Sequence, residues 1–222
     1  MIMQASPEVL GDPKKETSEQ MEERYHRMLS QVLKGMHCLV KSADGATKAD
    51  HNATFLQGVK SAICTQSFRI SCLQSSNSTV RRDSYDLITA YSLSKSRAKD
   101  LDDLMHKSVF RCLEDEEPAN VVSLFAMMIA YCRSFQRVWD CIDFERDFEA
   151  PLLRILRCSS YGSYIFDVYK SMLPLISVIP PSLLTDVFIS SMIEALWDTH
   201  GTLGHNPKLC CAARQALTVR LV

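Results

Sequence analysis

Apolar residues return at three- and four-residue steps through almost the entire chain, and that spacing limits the fold more than any other feature. One face of an α-helix repeats every 3.6 residues, so such a run marks a helix burying one side. Met21, Tyr25, Met28, Leu29, Val32, Leu33, Met36 and Val40 trace the first face. Just ahead of it, Thr17 and Gln20 have the spacing of a capping box, in which hydroxyl and amide satisfy each other's backbone N–H. Residues 1–16 are polar, carry Pro7, Gly11 and Pro13, and are expected to form a flexible N-terminal tail. Seven Gly and eight Pro in 222 residues are too few for a sheet with many tight turns, and they suit packed helices.

The same spacing continues beyond a break at Lys41–Asn52, which contains Asp44-Gly45. A second helix is expected to bury Phe55, Val59, Ala62, Ile63, Ile70 and Leu73, and to end at Ser75-Ser76-Asn77-Ser78. A third runs from about Arg82 to Ser94 with Tyr85, Ile88 and Tyr91 inward. The fourth opens on Asp100 as N-cap and buries Leu101, Leu104, Met105, Val109 and Leu113. Glu114–Glu117 and Pro118 suit the start of a fifth, through Val121, Leu124, Phe125, Met128, Tyr131 and Cys132. Phe148–Arg157 forms a sixth, with Pro151 near its start or at a kink. Ile165, Val168, Tyr169, Met172 and Ile176 form a seventh, with a bend expected at Pro174. After Pro180-Pro181 an eighth buries Leu184, Val187, Phe188, Met192, Ala195 and Leu196. Asn206-Pro207 caps a ninth that reaches the last residue without a stop signal, which suggests a chain cut short.

Nine short-linked helices call for a search for pairs. Shifting the chain by 40 residues sets Ala90-Tyr91 on Ala130-Tyr131, Ser94 on Ser134, Arg97 on Arg137, Asp100 on Asp140 and Asp103 on Asp143. That is six identities in the twenty positions 84–103, against roughly one from average composition. A two-helix unit of about 40 residues has the size of a solenoid repeat. The expected fold is therefore all-α: a short α-solenoid of helix-turn-helix pairs, about nine helices, over residues 17–222. An irregular helical bundle is the competing architecture.

Leu87-Ile88-Thr89-Ala90-Tyr91-Ser92, echoed by Met127-Met128-Ile129-Ala130-Tyr131-Cys132, resembles the first helix of heptatricopeptide-type repeats. There an apolar pair precedes Ala and an aromatic, and a second helix like Leu101–Leu113 follows. Such repeats typify RAP-domain and FASTK-like organellar proteins, with octotricopeptide proteins a related class; armadillo and HEAT repeats are similar too. The resemblance covers about 82–157. It implies organellar RNA metabolism or residence in a mitochondrial ribosome. Two features depart from the pattern: there is no RAP-like C-terminal domain, and the charge is not basic.

Lys and Arg number 25 against 26 Asp and Glu, so no global field draws nucleic acid. The cations do gather after the Ala-Tyr segments: Lys95, Arg97, Arg133 and Arg137, with Arg154 and Arg157 ending the sixth helix. On successive repeats they would line one edge and neutralise RNA phosphates; the alternative is that they complement helix C-termini. Trp139, beside Arg137, is the one aromatic expected to be partly exposed, able to stack on a base or anchor a partner protein, with packing over the core edge the favoured reading. Tyr25, Tyr85, Phe125, Phe148 and Met172 belong to packing.

Other chemistry finds little support. Nine Cys without a C-x-x-C pair read as reduced core thiols in a reducing compartment. His200, His205, Cys210 and Cys211 lack regular zinc spacing, so no metal is expected. No Gly-x-Ser-x-Gly elbow or Gly-rich phosphate loop is present. Asp102-Asp103 and Glu116-Glu117 read as helix caps. No apolar run reaches the ~18 residues that span a bilayer.

The sequence is thus expected to encode a non-enzymatic, RNA-associated structural subunit of a large assembly. A mitochondrial ribosomal protein contacting rRNA and neighbouring proteins is the leading reading, with no cofactor or small-molecule substrate. The alternative is an armadillo- or HEAT-type protein–protein adaptor, in the cytoplasm or within another complex, without RNA contact.

Overall fold

The structure, a computed structural model, describes residues 17–45, 49–94, 101–158 and 164–198. Every regular element among them is helical, so the fold is all-α. The expected ninth helix after Asn206-Pro207 lies outside the described residues, as does Asp100. The chain divides within a helix into two compact units, Met1–Ser108 and Val109–Val222.

In the first unit α1 (Ser18–Gly45) opens on the expected capping box. The Thr17 amide donates to Gln20 Oε1 at 3.0 Å, and the Gln20 amide donates to Thr17 Oγ1 at 3.3 Å. Met21, Tyr25, Leu29, Leu33 and Val40 are buried along one stripe, while Met28, Val32 and Met36 flank it half-buried. The stripe packs chiefly on α4 (Ser78–Leu93), with a lesser contact to α2 (Ala49–Ile63). In α4 Asn77 is the N-cap, its side chain accepting from the Val80 amide at 3.1 Å. The cluster read as the end of one helix therefore also begins the next.

The second expected helix is not continuous. It stops at Ile63, and Thr65 caps a new turn, α3 (Gln66–Phe68), that widens into a π-type turn over Arg69–Leu73. A π turn bonds i to i+5 and rotates the following face. Phe68, Cys72 and Leu73 are consequently buried, whereas Ile70, expected inward, is 54% exposed. The next helix, α5 (Asp103–Arg111), is capped by Asp102, whose Oδ1 accepts from the Met105 amide at 2.7 Å. Met105 and Val109 face the core, and Leu104, about 100° away from Met105, is 61% exposed rather than buried.

In the second unit a 3₁₀ turn, Pro118–Asn120, leads into α6 (Val121–Ser134). Glu117 accepts from the Ala119 amide, and Asn120 Nδ2 donates to Asp115 Oδ2 at 2.9 Å, so the acidic run works as a cap. A 3₁₀ turn Gln136–Asp140 follows, then a π-type turn Glu145–Glu149 running into α7 (Ala150–Arg157), with Pro151 in its first turn. After α8 (Ile165–Ile176), a 3₁₀ turn Pro181–Leu183 separates it from α9 (Asp186–Asp198). The Phe188 amide donates to Thr185 Oγ1 at 3.1 Å, which fixes the start of α9. Phe188, Met192 and Ala195 then form the buried stripe, and Val187, one position off it and expected inward, is 73% exposed. Alternate helices pair here: α6 lies on α8 and α7 on α9.

Candidate functional site

Arg133, Arg137, Arg154 and Arg157 all belong to the second unit. Arg133 stands in the last turn of α6, Arg137 in the following 3₁₀ turn, and Arg154 and Arg157 in the last turn of α7. All four are exposed. Among the described residues none of these guanidiniums has a carboxylate partner. By contrast Arg146, in the same unit, is held by Asp147 at 2.7 Å, and that hydrogen-bonded carboxylate pushes its pKa up. Lys95 and Arg97 lie outside the described residues, so the edge they were expected to share with Arg133 and Arg137 stays an expectation. His200, His205, Cys210 and Cys211 lie outside them as well.

Trp139 corrects its expectation. It is 7% exposed rather than partly open, because three phenylalanines take its ring. Phe110 and Phe148 meet it edge-on with centroids 5.4 and 5.3 Å away, and Phe144 lies tilted at 6.0 Å. Edge-to-face aromatic packing of this kind contributes beyond the area it buries. The indole Nε1 is buried and has no hydrogen-bond partner among the described residues.

Beside Trp139 the surface opens into a cleft of about 410 Å³. The end of α6 supplies Cys132 and Arg133, the 3₁₀ turn supplies Gln136 and Trp139, and the α8–α9 connection supplies Ser177–Pro181. Cys132 is fully buried there, and burial pushes its thiol pKa far up, so it lines the cleft as an apolar group. The first unit holds a different polar feature. Asp83 is 4% exposed, accepts from Ser30 Oγ at 2.5 Å and lies 3.6 Å from Lys34 Nζ. Near it, burial and then Lys41 push the His37 pKa down, against Asp86 and Asp83. Neither feature was foreseen from the sequence, since both join residues far apart in the chain.

The family model of the E3 ubiquitin-protein ligase listerin N-terminal domain matches residues 1–179, from the N-terminus through α8. The chain belongs to the listerin N-terminal domain family. No curated protein and no solved structure matches the chain.

Membership in the listerin family overturns the resemblance to RAP-domain, FASTK-like and tricopeptide-repeat proteins. The Ala-Tyr echo is explained by its burial: Ala90, Tyr91, Ala130 and Tyr131 are all core residues, and a common demand for small and aromatic residues produces the match. The mitochondrial ribosomal subunit falls with that resemblance, and so do the mitochondrial location and the RNA-binding protein class. The adaptor alternative is not favoured either. The non-enzyme expectation is corrected too: the family is that of listerin, an E3 ubiquitin-protein ligase.

Proposed function

We propose that this chain is the helical N-terminal module that holds a listerin-type ubiquitin ligase on the large ribosomal subunit in the cytoplasm. The observation that carries the reading is the family match over residues 1–179. Listerin serves ribosome quality control and associates with the 60S subunit. The partners are then the proteins and RNA of a ribosomal complex, and the module's contribution is placement rather than ubiquitin transfer.

The second unit suits that task. Arg137, Arg154 and Arg157 stand exposed at helix ends, without carboxylate partners among the described residues, where a guanidinium can take a phosphate bidentately. Residues 17–222 act as one helical-repeat region in this reading, and the alternate pairing of α6 with α8 and α7 with α9 supports stacked helix pairs in its second unit. The test is co-sedimentation of the whole chain with purified large or small ribosomal subunits. The chain should pellet with the large subunit and not with the small one. Absence from both pellets, or equal recovery in each, would remove the proposal.

A further inference from the structure

The cleft beside Trp139 has a composition that specifies what enters it. Its apolar wall is Ile179, Pro180 and Pro181, and prolines offer no backbone N–H to a ligand. Its polar groups include the exposed side chains of Arg133 and Gln136, and no acidic residue is among the described residues that line it. Trp139, which also lines the cleft, carries an indole N–H that is shut from water and has no acceptor among the described residues. A buried donor left unpaired costs stability, and native structures seldom retain one without a use. The surrounding Phe110, Phe144 and Phe148 rings supply no strong acceptor in its place. At about 410 Å³ the cleft falls within the range of ordinary ligand sites.

We infer that this cleft binds an acidic peptide segment. A carboxylate of the segment pairs with the Arg133 guanidinium, and an adjacent apolar side chain lies against Ile179, Pro180 and Pro181. A carbonyl or carboxylate oxygen accepts from Trp139 Nε1. Single-stranded RNA is the poorer occupant, although its phosphate would also suit Arg133. A base needs an open aromatic face to stack on, and Trp139 is 7% exposed with phenylalanines around it. Because the indole N–H is covered from solvent, an acceptor reaches it only as the groups over it shift. Occupancy therefore changes the surroundings of Trp139. The inference does not rest on the ribosome reading: peptide binding and ribosome sedimentation can each fail while the other succeeds.

The chain holds two tryptophans, Trp139 and Trp197, so the whole chain carrying Trp197→Phe reports on Trp139 alone. The probes are blocked decapeptides with two or three Asp or Glu flanking a Leu or Ile, the same peptides with Asn and Gln in place of the acids, and an RNA decamer. Acidic peptides should shift Trp139 emission saturably, and their amide counterparts should bind at least about tenfold more weakly. Arg133→Gln should weaken acidic-peptide binding by about tenfold or more, and Arg133→Lys by less. Trp139→Phe keeps an aromatic ring but deletes the donor, and should cost about two- to tenfold when measured by calorimetry. Arg133 is exposed, so its variants test the cleft even if Trp139→Phe fails to fold. Equal binding of acidic and amide peptides, no binding by any acidic peptide, or unchanged affinity in Arg133→Gln overturns the inference. A Trp139 shift with RNA but not with peptides overturns it in favour of phosphate.

Discussion

The Ser30 hydroxyl gives its hydrogen to the carboxylate of Asp83, 53 positions along the chain, and with Lys34 it ties α1 to α4. Asp83 is nearly sealed from water beside those two groups, and Lys34 is half-exposed and screened. Removing the hydroxyl leaves a buried carboxylate short of a donor. Ser30→Ala is expected to cost about 1–3 kcal/mol, the scale of a hydrogen bond to a charged group. Urea unfolding followed by circular dichroism measures it, with faster amide exchange in α1 and α4 as the local signature. Once Asp83→Asn is present the same change should cost less, since the two residues act on one contact. No spacing in the sequence reveals this pair, because neither residue stands near the other until the helices pack. The depth to which Trp139 is buried escapes the sequence for a similar reason. Its place beside Arg137 in a linker suggested exposure, but Phe110, Phe144 and Phe148 arrive from other elements to cover it.

Helix existence was legible because burial follows the 3.6-residue stripe in α1, α6 and α9. Caps were legible where side chain and target lie within one turn, as at Thr17 and Gln20. Register was lost where the backbone leaves the α geometry. The π-type turn at Arg69–Leu73 puts Ile70 in solvent, and no residue type in that stretch announces such a turn. Helix ends are also where the candidate cations stand. Arg137→Glu, Arg154→Glu and Arg157→Glu combined should lower affinity for the large ribosomal subunit by at least about tenfold near physiological salt. Each phosphate contact removed should also make the salt dependence shallower by about one unit of log–log slope. Unchanged helix content by circular dichroism shows that the fold is retained. An unaltered affinity and slope would mean that these arginines only complement the ends of their helices.

At the scale of the whole molecule, all-α architecture followed from composition and periodicity, and the family did not. The Ala-Tyr echo between α4 and α6 records two core helices with like packing demands, and it drew the chain toward an unrelated repeat class. Family membership came instead from a match across residues 1–179, most of the sequence. It replaces the ribosomal component with the proposal of a module from a listerin-type ligase. The measurement that bears most directly on this claim is competition. The chain is added in excess to ribosomes on which a listerin-type ligase is transferring ubiquitin. The ligase should be displaced from the large subunit and ubiquitylation of ribosome-bound substrate should fall, while the chain alone transfers no ubiquitin. Undiminished ligase occupancy and ubiquitylation at saturating chain, or ubiquitin transfer by the chain itself, would contradict the account.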